Sequence, residues 1–338
     1  MSELVNIVYS DQLQDLNSLL PKERTIFTVI DNNITHWYSD ILKTPTLEID
    51  ASEKMKSFSG VDSITRFLLE NGADRSSLLV GVGGGTTTDL VAFCASIYMR
   101  GIDCILVPTT LLAQTDAAIG GKNGINFEGY KNVLGTIRQP ISTLICPQFL
   151  KTLNKDELLE GLAEMLKIFI ICDPSAFRNC ADLAIKERFD SAKFYDLVKL
   201  AADYKSQIVT KDPFEKGERI LLNLGHTFAH AYEKVLGVSH GKAVAAGIID
   251  ASFLSSMLGI ADISMANTIL REFTEIGYET NLIANSEKLS DAILKDKKKS
   301  SNHIQFILPK SIGNVVVQKI ETKDLTQMFY DLSKYKKQ

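Results

Sequence analysis

Residues 76–89, SSLLVGVGGGTTTD, decide the fold class of this chain. A short apolar run from Leu78 to Val82 is followed at once by glycines, and Thr86 opens a segment with helical periodicity. The order predicts a strand, a glycine turn and a helix, an arrangement in which backbone N–H groups and the helix dipole can meet a pyrophosphate. The spacing is not G-x-G-x-x-G, since Thr86 stands where the third glycine would be. A tight turn that needs positive φ explains the cluster equally well.

Similar patterns lie on both sides of this segment. Residues 25–30 and 44–49 predict strands, residues 61–68 predict a helix that ends at Gly72, and residues 104–108 predict another strand. A β-α-β series of this kind predicts a mostly parallel sheet covered by helices.

The second half of the chain has a helical pattern. Long amphipathic segments are predicted at 156–172, 175–187, 190–211, 218–236, 242–258 and 264–276. A small hairpin (HIQFILP and NVVVQ) and a last helix near 323–334 follow. We therefore predict an α/β domain over residues 1–149 and a mainly α-helical domain over residues 150–338.

Composition excludes several classes of protein. The chain has 338 residues, enough for about two domains, and a net charge of −4, which disfavours binding to nucleic acid. The longest stretches without a charged residue have 13 residues, too few to cross a membrane. Five cysteines without a C-x-x-C pair, and an N-terminus that does not resemble a signal peptide, predict a cytoplasmic protein.

Three of the five histidines lie within fifteen residues, at positions 226, 230 and 240. His226 and His230 are four residues apart and share one face of a helix. Two imidazoles with a third nearby indicate a metal site or a metal beside an acid/base group, with Glu164 as a possible carboxylate ligand. Histidines that form hydrogen bonds within a helical core are the alternative. A buried Glu164 would need a partner, and Lys167 is the simplest one.

Basic residues also occur beside apolar or glycine-rich segments. Lys122, in AAIGGKNGIN, is the clearest example, because glycines permit a ligand to approach closely and the nearest acids are six positions away. A solvated ammonium group on a buried stem is the more common explanation for each of these residues alone. The set comprises Arg100, Lys122, Lys131, Lys167, Lys205 and Arg219.

A dozen motifs, in order over about residues 25–320, resemble those of the 3-dehydroquinate synthase family of sugar-phosphate cyclases. They are VIDNN, SEKMKS, GGGTTTDL, YMRG, VPTTLLAQTD, GGKNGIN, YKN, FLKTL, GLAEMLK, RILLNLGHTFAHAYE, HGKAVAAG and DKK, together with the segment around Lys205.

The resemblance implies a Rossmann-like NAD-binding domain, a helical domain that binds one divalent metal (zinc or cobalt), an active site between them, and a homodimer. It implies that Glu164, His226 and His240 bind the metal and that His230 acts as an acid/base group or proton relay. The implied NAD contacts are Asp31, Asn33, Glu53, Lys56, Gly84, Gly85, Asp89, Thr109, Thr110, Lys122, Lys131 and the segment Phe149 to Thr152. The implied substrate contacts are Arg100, Asp116, Lys122, Lys131, Asn132, Lys167, Lys205, Arg219, Asn223 and Lys297.

The family's substrate is a sugar acid phosphate of the shikimate pathway, 3-deoxy-D-arabino-heptulosonate 7-phosphate. The resemblance implies that NAD takes a hydride from the substrate and returns it after phosphate has left, and that an intramolecular aldol step then closes the ring. Lysines and arginines would hold the carboxylate and the phosphate. The overall reaction is that of a carbon–oxygen lyase.

The clearest departure from the family pattern is Lys242, which replaces the usual glutamate or glutamine after His240-Gly241. Milder departures are Thr86 to Thr88 after the glycines and Ala229 between the histidines. Three other functions compete with the first. They are a cyclase that makes an inosose or a valiolone, a metal-dependent polyol dehydrogenase that releases NADH, and a non-catalytic NAD-binding regulator.

Overall fold

A computed structural model describes residues 5–38, 44–282, 284–297 and 302–336. The chain folds as two compact units. Unit 1 comprises the residues up to Gly161 together with Val198–Glu215, and unit 2 comprises Leu162–Leu197 together with the residues from Lys216 onward. The predicted domain boundary between residues 149 and 150 stays a prediction.

Unit 1 contains a parallel sheet of six strands among its described residues. The sheet order is β1-β8-β5-β4-β2-β3, and all neighbouring strands run parallel. Strands β6 and β7 form a separate antiparallel hairpin. The strands are β1 (Ile7–Tyr9), β2 (Ile26–Asp31), β3 (Thr46–Ile49), β4 (Leu78–Gly83), β5 (Asp103–Pro108), β6 (Lys122–Phe127), β7 (Tyr130–Ile137) and β8 (Ser142–Ile145).

Apolar clusters cover both faces of this sheet, since side chains alternate between the two faces along β4. Leu79 packs in the apolar cluster that includes residues of the two longer helices, and Leu78 and Val80 pack in the cluster on the opposite face. The helices are α1 (Thr35–Tyr38), α2 (Phe58–Glu70) and α3 (Gly85–Ile97), with a π-helical turn at Ala113–Ala117 and short 3₁₀ segments at Leu13–Leu19, Glu53–Met55, Tyr98–Arg100 and Pro147–Thr152.

Unit 2 is mainly helical. The helix from His240 to Met257 is buried from Ala243 to Ser256, as expected for a segment made almost entirely of apolar or small residues. The later helices are α4 (Lys155–Cys172), α5 (Pro174–Ile185), α6 (Ala192–Lys211), α7 (His226–Leu236), α8 (His240–Met257), α9 (Ile263–Ile276), α10 (Ser286–Lys297) and α11 (Leu325–Tyr335). The boundary between the units falls within α4 and again within α6.

An antiparallel hairpin completes unit 2, formed by β9 (His303–Ser311) and β10 (Asn314–Glu321). The predicted fold class, an α/β part followed by a mainly helical part, is confirmed. No described helix is both long enough and apolar enough to cross a bilayer.

The predicted helical segment 218–236 is interrupted in the structure. Residues Glu218–Asn223 form a 3₁₀ segment, and α7 begins only at His226. Gly225 breaks the helix with a left-handed φ of 78°, and its carbonyl oxygen lies against Gly247 of α8. The two glycines let α7 and α8 approach closely at the point where α7 begins.

Replacing Gly247 with alanine should lower the free energy of unfolding by about 3 kcal/mol, because overpacking in a close helix contact cannot relax. The new Cβ would overlap the Gly225 carbonyl oxygen and lie 3.1 Å from the Ala229 backbone nitrogen. Urea unfolding followed by circular dichroism measures the loss. Gly259→Ala is the control: Gly259 has φ of 70° and open space around its Cβ position, so only backbone strain of about 1 kcal/mol is expected. Equal losses in the two variants would contradict this interpretation.

Candidate active site

Three potential metal ligands converge in unit 2. Glu164 lies within α4, His226 is the first residue of α7, and His240 is the first residue of α8. One ligand atom from each residue lies within 4.8 Å of the others. Glu164 Oε1 is 3.0 Å from His240 Nε2 and 3.4 Å from His226 Nε2. Two imidazole nitrogens therefore face one carboxylate oxygen.

Each histidine uses its other ring nitrogen for a different contact. His226 Nδ1 is 3.2 Å from the Leu224 carbonyl oxygen, which only accepts, so His226 Nδ1 carries the proton. His240 Nδ1 is 2.6 Å from Glu233 Oε1. Both contacts leave Nε2 as the nitrogen available to a metal, which is the usual arrangement around a metal-bound histidine.

The carboxylate of Glu164 is completely buried and forms an ion pair with Lys167, three residues later on α4. Burial disfavours the charged form, but Lys167 and His226 outweigh it and hold the pKa of Glu164 well below its usual range. The predicted partnership of Glu164 with Lys167 is therefore confirmed, and Glu164 is ionised as a metal ligand must be.

Glu233 did not emerge from the sequence patterns. It lies on α7, seven residues before His240, and its side chain is 14% exposed. Burial alone would lower the pKa of His240, but hydrogen bonds with Glu164 and Glu233 raise it to about 10. The sequence does contain a pattern that could have predicted this residue. Glu233 is the last residue of HTFAHAYE, three residues after His230, so on a helix the two lie on the same face.

The remaining predicted residues of unit 2 differ in their placement. His230 is exposed, and its ring centre lies 5.5 Å from that of His226. Arg219 is buried and Asn223 is half-buried, both in the 3₁₀ segment before α7. Lys242 is exposed on α8, so its charge meets solvent. Lys297 ends α10, and its side chain lies outside the part of the chain that the structure describes.

The glycine turn of unit 1 connects β4 to α3, with Gly84 at the N-cap position and Gly85 as the first helical residue. None of the glycines from 81 to 85, all of them described, has positive φ. They instead allow close packing, because a Cβ on Gly81 would lie 2.8 Å from Val91 Cγ1 and one on Gly83 would lie 2.6 Å from Thr87 Oγ1. The tight turn with positive φ, one of the two alternatives left by the sequence, is therefore wrong.

This turn lies where the sheet order reverses. Strands β2 and β4 are neighbours in the sheet, but β3, which follows β2, lies on one side of this pair and β5, which follows β4, lies on the other. The connections that leave the carboxyl ends of β2 and β4 therefore run in opposite directions. In open parallel α/β sheets ligands bind at such a point. Asp31 ends β2 there, and its carboxylate accepts a hydrogen bond of 2.9 Å from the Asn33 backbone N–H. Burial raises the pKa of Asp31.

Other predicted cofactor residues contact one another within unit 1. Lys56 is buried and forms an ion pair with Asp89, on α3. Glu53 Oε1 accepts a hydrogen bond of 2.7 Å from Asn126 Nδ2. Thr109 and Phe149 are buried; Thr110 and Thr152 are half-buried.

Two of the lysines predicted to contact the substrate, Lys205 and Lys122, are held by carboxylates in unit 1. Lys205 Nζ is 2.5 Å from both the carboxylate and the backbone oxygen of Asp116. Lys122 forms an ion pair with Glu215 and is exposed rather than buried. Arg100, Lys131 and Asn132 are exposed.

The donor set fits a divalent metal. Two imidazole nitrogens and one ionised carboxylate are three protein ligands, the number found in catalytic sites that keep a position open for water or substrate. The parallel sheet with its glycine turn and the helical unit with its three-ligand site define a class of metalloenzyme with a Rossmann-like part.

Family comparisons agree with this class. The family model described as "3-dehydroquinate synthase N-terminal" matches residues 46–160, and the one described as "3-dehydroquinate synthase C-terminal" matches residues 161–299. The chain belongs to the 3-dehydroquinate synthase family.

Curated relatives share much of the sequence. A 3-dehydroquinate synthase of Dictyoglomus thermophilum is 38% identical over 294 residues, covering 85% of this chain and 82% of the relative. A 3-dehydroquinate synthase of Pyrococcus furiosus is 37% identical over 332 residues, covering 95% and 97%.

Solved structures show the same fold. A 2-epi-5-epi-valiolone synthase of Streptomyces hygroscopicus, with NAD⁺ and Zn²⁺ bound, has a TM-score of 0.87 at 24% identity and covers 98% of this chain and 97% of its own. A 2-deoxy-scyllo-inosose synthase complexed with carbaglucose-6-phosphate, NAD⁺ and Co²⁺ has a TM-score of 0.86 at 21% identity, with 97% and 96% covered.

Proposed function

We propose that the chain catalyses the 3-dehydroquinate synthase reaction, in which a heptulosonate phosphate loses phosphate and closes to a carbocycle. The observation that carries the proposal is the Glu164–His226–His240 site, in a chain that both family models match over residues 46–299. The curated members of this family that match the chain are 3-dehydroquinate synthases.

Glu164, His226 and His240 would hold a divalent metal, zinc or cobalt. Such a metal supplies a Lewis acid that polarises hydroxyl and carbonyl oxygens. The protein contributes the buried negative charge of Glu164 and the fixed tautomers of the two histidines. The fit of the donor set and the metals bound in structures of the same fold support this assignment.

Unit 1 would hold NAD at the glycine turn. NAD supplies a hydride acceptor that is regenerated within the reaction. Gly84 and Gly85 place the first turn of α3 beside the carboxyl ends of β2 and β4, where backbone N–H groups favour a pyrophosphate. Lys56 and Asp89 form a partly buried charged pair near this turn. The other predicted NAD contacts stay predictions.

The lysines would bind the anionic groups of the substrate. Asp116 fixes the ammonium group of Lys205, and Glu215 pairs with that of Lys122, so both cations are already oriented. Charged groups held in this way lose little freedom when they bind a carboxylate or phosphate. His230 would serve as the acid/base group or proton relay. The homodimer and the cytoplasmic location also stay predictions.

A comparison of substrates tests the proposal against the other cyclases. We expect metal-loaded protein with NAD to release phosphate from 3-deoxy-D-arabino-heptulosonate 7-phosphate at least about 100-fold faster than from glucose 6-phosphate, because buried polar groups discriminate strongly between substrates. Phosphate release is followed colorimetrically, and the product is identified by mass spectrometry. Protein stripped of metal by a chelator is the control. Faster release from the hexose phosphate would favour an inosose-type cyclase instead.

A further inference from the structure

The two histidines of the metal site are not equally constrained. His226 donates to a backbone carbonyl, a group fixed by the fold itself, and its side chain is 16% exposed. His240 is 33% exposed, and the side chain of Glu233 takes the place of that carbonyl. The orientation of the His240 ring thus depends on one side chain that is open to mutation.

The position of His240 in the chain adds a second reason for a carboxylate. His240 is the first residue of α8, a helix of 18 residues. The N-terminus of a helix carries a partial positive charge, which disfavours a further positive charge beside His240. A nearby carboxylate offsets this effect. Glu233, whose Oε1 lies 2.6 Å from His240 Nδ1, supplies this negative charge.

Glu233 approaches the ring from the side away from the other ligands. Glu164 Oε1 is 3.0 Å from Nε2, whereas Glu233 contacts Nδ1 of the same ring. Glu233 is also absent from the three residues whose ligand atoms cluster within 4.8 Å among the described residues. Its geometry is that of a residue that orients a metal ligand and increases its basicity, and not that of a ligand.

We propose that Glu233 is a positioning residue that fixes the tautomer and orientation of His240 for metal binding. The inference rests on the proposed function, since it requires that Glu164, His226 and His240 bind a metal. Glu233 is a fourth residue of this site, and replacing it leaves all three ligands in place.

The test measures metal affinity directly. Glu233→Ala should bind Zn²⁺ about 10–100-fold more weakly than the parent protein, the usual cost of losing such a partner. The Zn²⁺ affinity of Glu233→Gln should lie between those of Glu233→Ala and the parent, because the amide oxygen of glutamine still accepts a hydrogen bond from His240 Nδ1 but carries no charge. Affinity is measured by competition with a chromogenic chelator, and the visible absorption of Co²⁺-loaded protein reports the ligand geometry. Lys234→Ala, an exposed neighbour on α7, should bind like the parent.

The possible outcomes separate this inference from the proposed function. If Glu233→Ala and Glu233→Gln both bind Zn²⁺ as tightly as the parent, with the same Co²⁺ spectrum, the inference is wrong and the metal site stands. If the parent itself binds no metal, the proposed function and the inference both fail. Should Glu233→Ala not fold, parent-like Zn²⁺ affinity in Glu233→Gln would overturn the inference, and weaker affinity would support it.

Discussion

Glu164→Gln should lower both Zn²⁺ affinity and the rate of phosphate release by at least about 100-fold, because the metal site loses its only negatively charged ligand among Glu164, His226 and His240. Glu164 Oε1 is the oxygen that His226 Nε2 and His240 Nε2 both face. A neutral amide of the same shape cannot neutralise a divalent cation in a buried site. Chelator competition measures the affinity, and a steady-state phosphate assay measures the rate.

The control for this variant is Asp156→Asn, an exposed acid in the first turn of the same helix. It removes one negative charge from α4 without touching the ligand cluster, so affinity and rate should stay close to those of the parent. Full cyclase activity in Glu164→Gln would contradict the metal role assigned to this residue.

Lys167→Met should destabilise the metal-free protein by about 3–5 kcal/mol, the usual cost of leaving one member of a buried ion pair uncompensated. Lys167 is 2% exposed and Glu164 is completely buried, so water cannot replace the lost cation. A bound metal supplies a cation to the same carboxylate. The loss should therefore be much smaller in metal-loaded protein, and urea unfolding with excess chelator or excess Zn²⁺ measures the difference.

Lys186→Met is the matched control for that experiment. Lys186 forms an ion pair with Asp182 on α5, and both side chains are more than half exposed. Exposed pairs of this kind contribute little to stability, so this variant should unfold like the parent in both conditions. An equal loss in Lys167→Met with and without metal would show that the metal does not neutralise Glu164.

Local patterns predicted most of the fold for a physical reason. Strands β2, β4 and β5 are buried on both faces, so they appear as continuous apolar runs ending in turn residues. The hairpin β6–β7 was not predicted, because its strands are partly exposed and carry glycines and polar residues in place of apolar alternation. The break at Gly225 depends on contact with Gly247, which lies on a different helix.

In the site as well, contacts between residues close in sequence were predictable, whereas contacts between residues far apart in sequence were not. The Glu164–Lys167 pair spans three residues of one helix, so spacing and apolar neighbours predicted it. Glu164 and His240 are 76 residues apart, and their contact depends on where the fold places α4 and α8. The sequence patterns offered Glu164 only as a possible carboxylate ligand, and the resemblance to a family assigned it to the same site as His226 and His240. Glu233 was not predicted, because a glutamate followed by a lysine on a helix usually lies in solvent.

The ratio of phosphate released to NADH accumulated tests the central claim most directly. Metal-loaded protein is incubated with excess 3-deoxy-D-arabino-heptulosonate 7-phosphate and a small amount of NAD⁺, and phosphate and absorbance at about 340 nm are followed together. A cyclase returns the hydride, so we expect many phosphates per NAD⁺ and no lasting NADH. NADH that accumulates in proportion to NAD⁺, without phosphate release, would identify a dehydrogenase and contradict the proposed function.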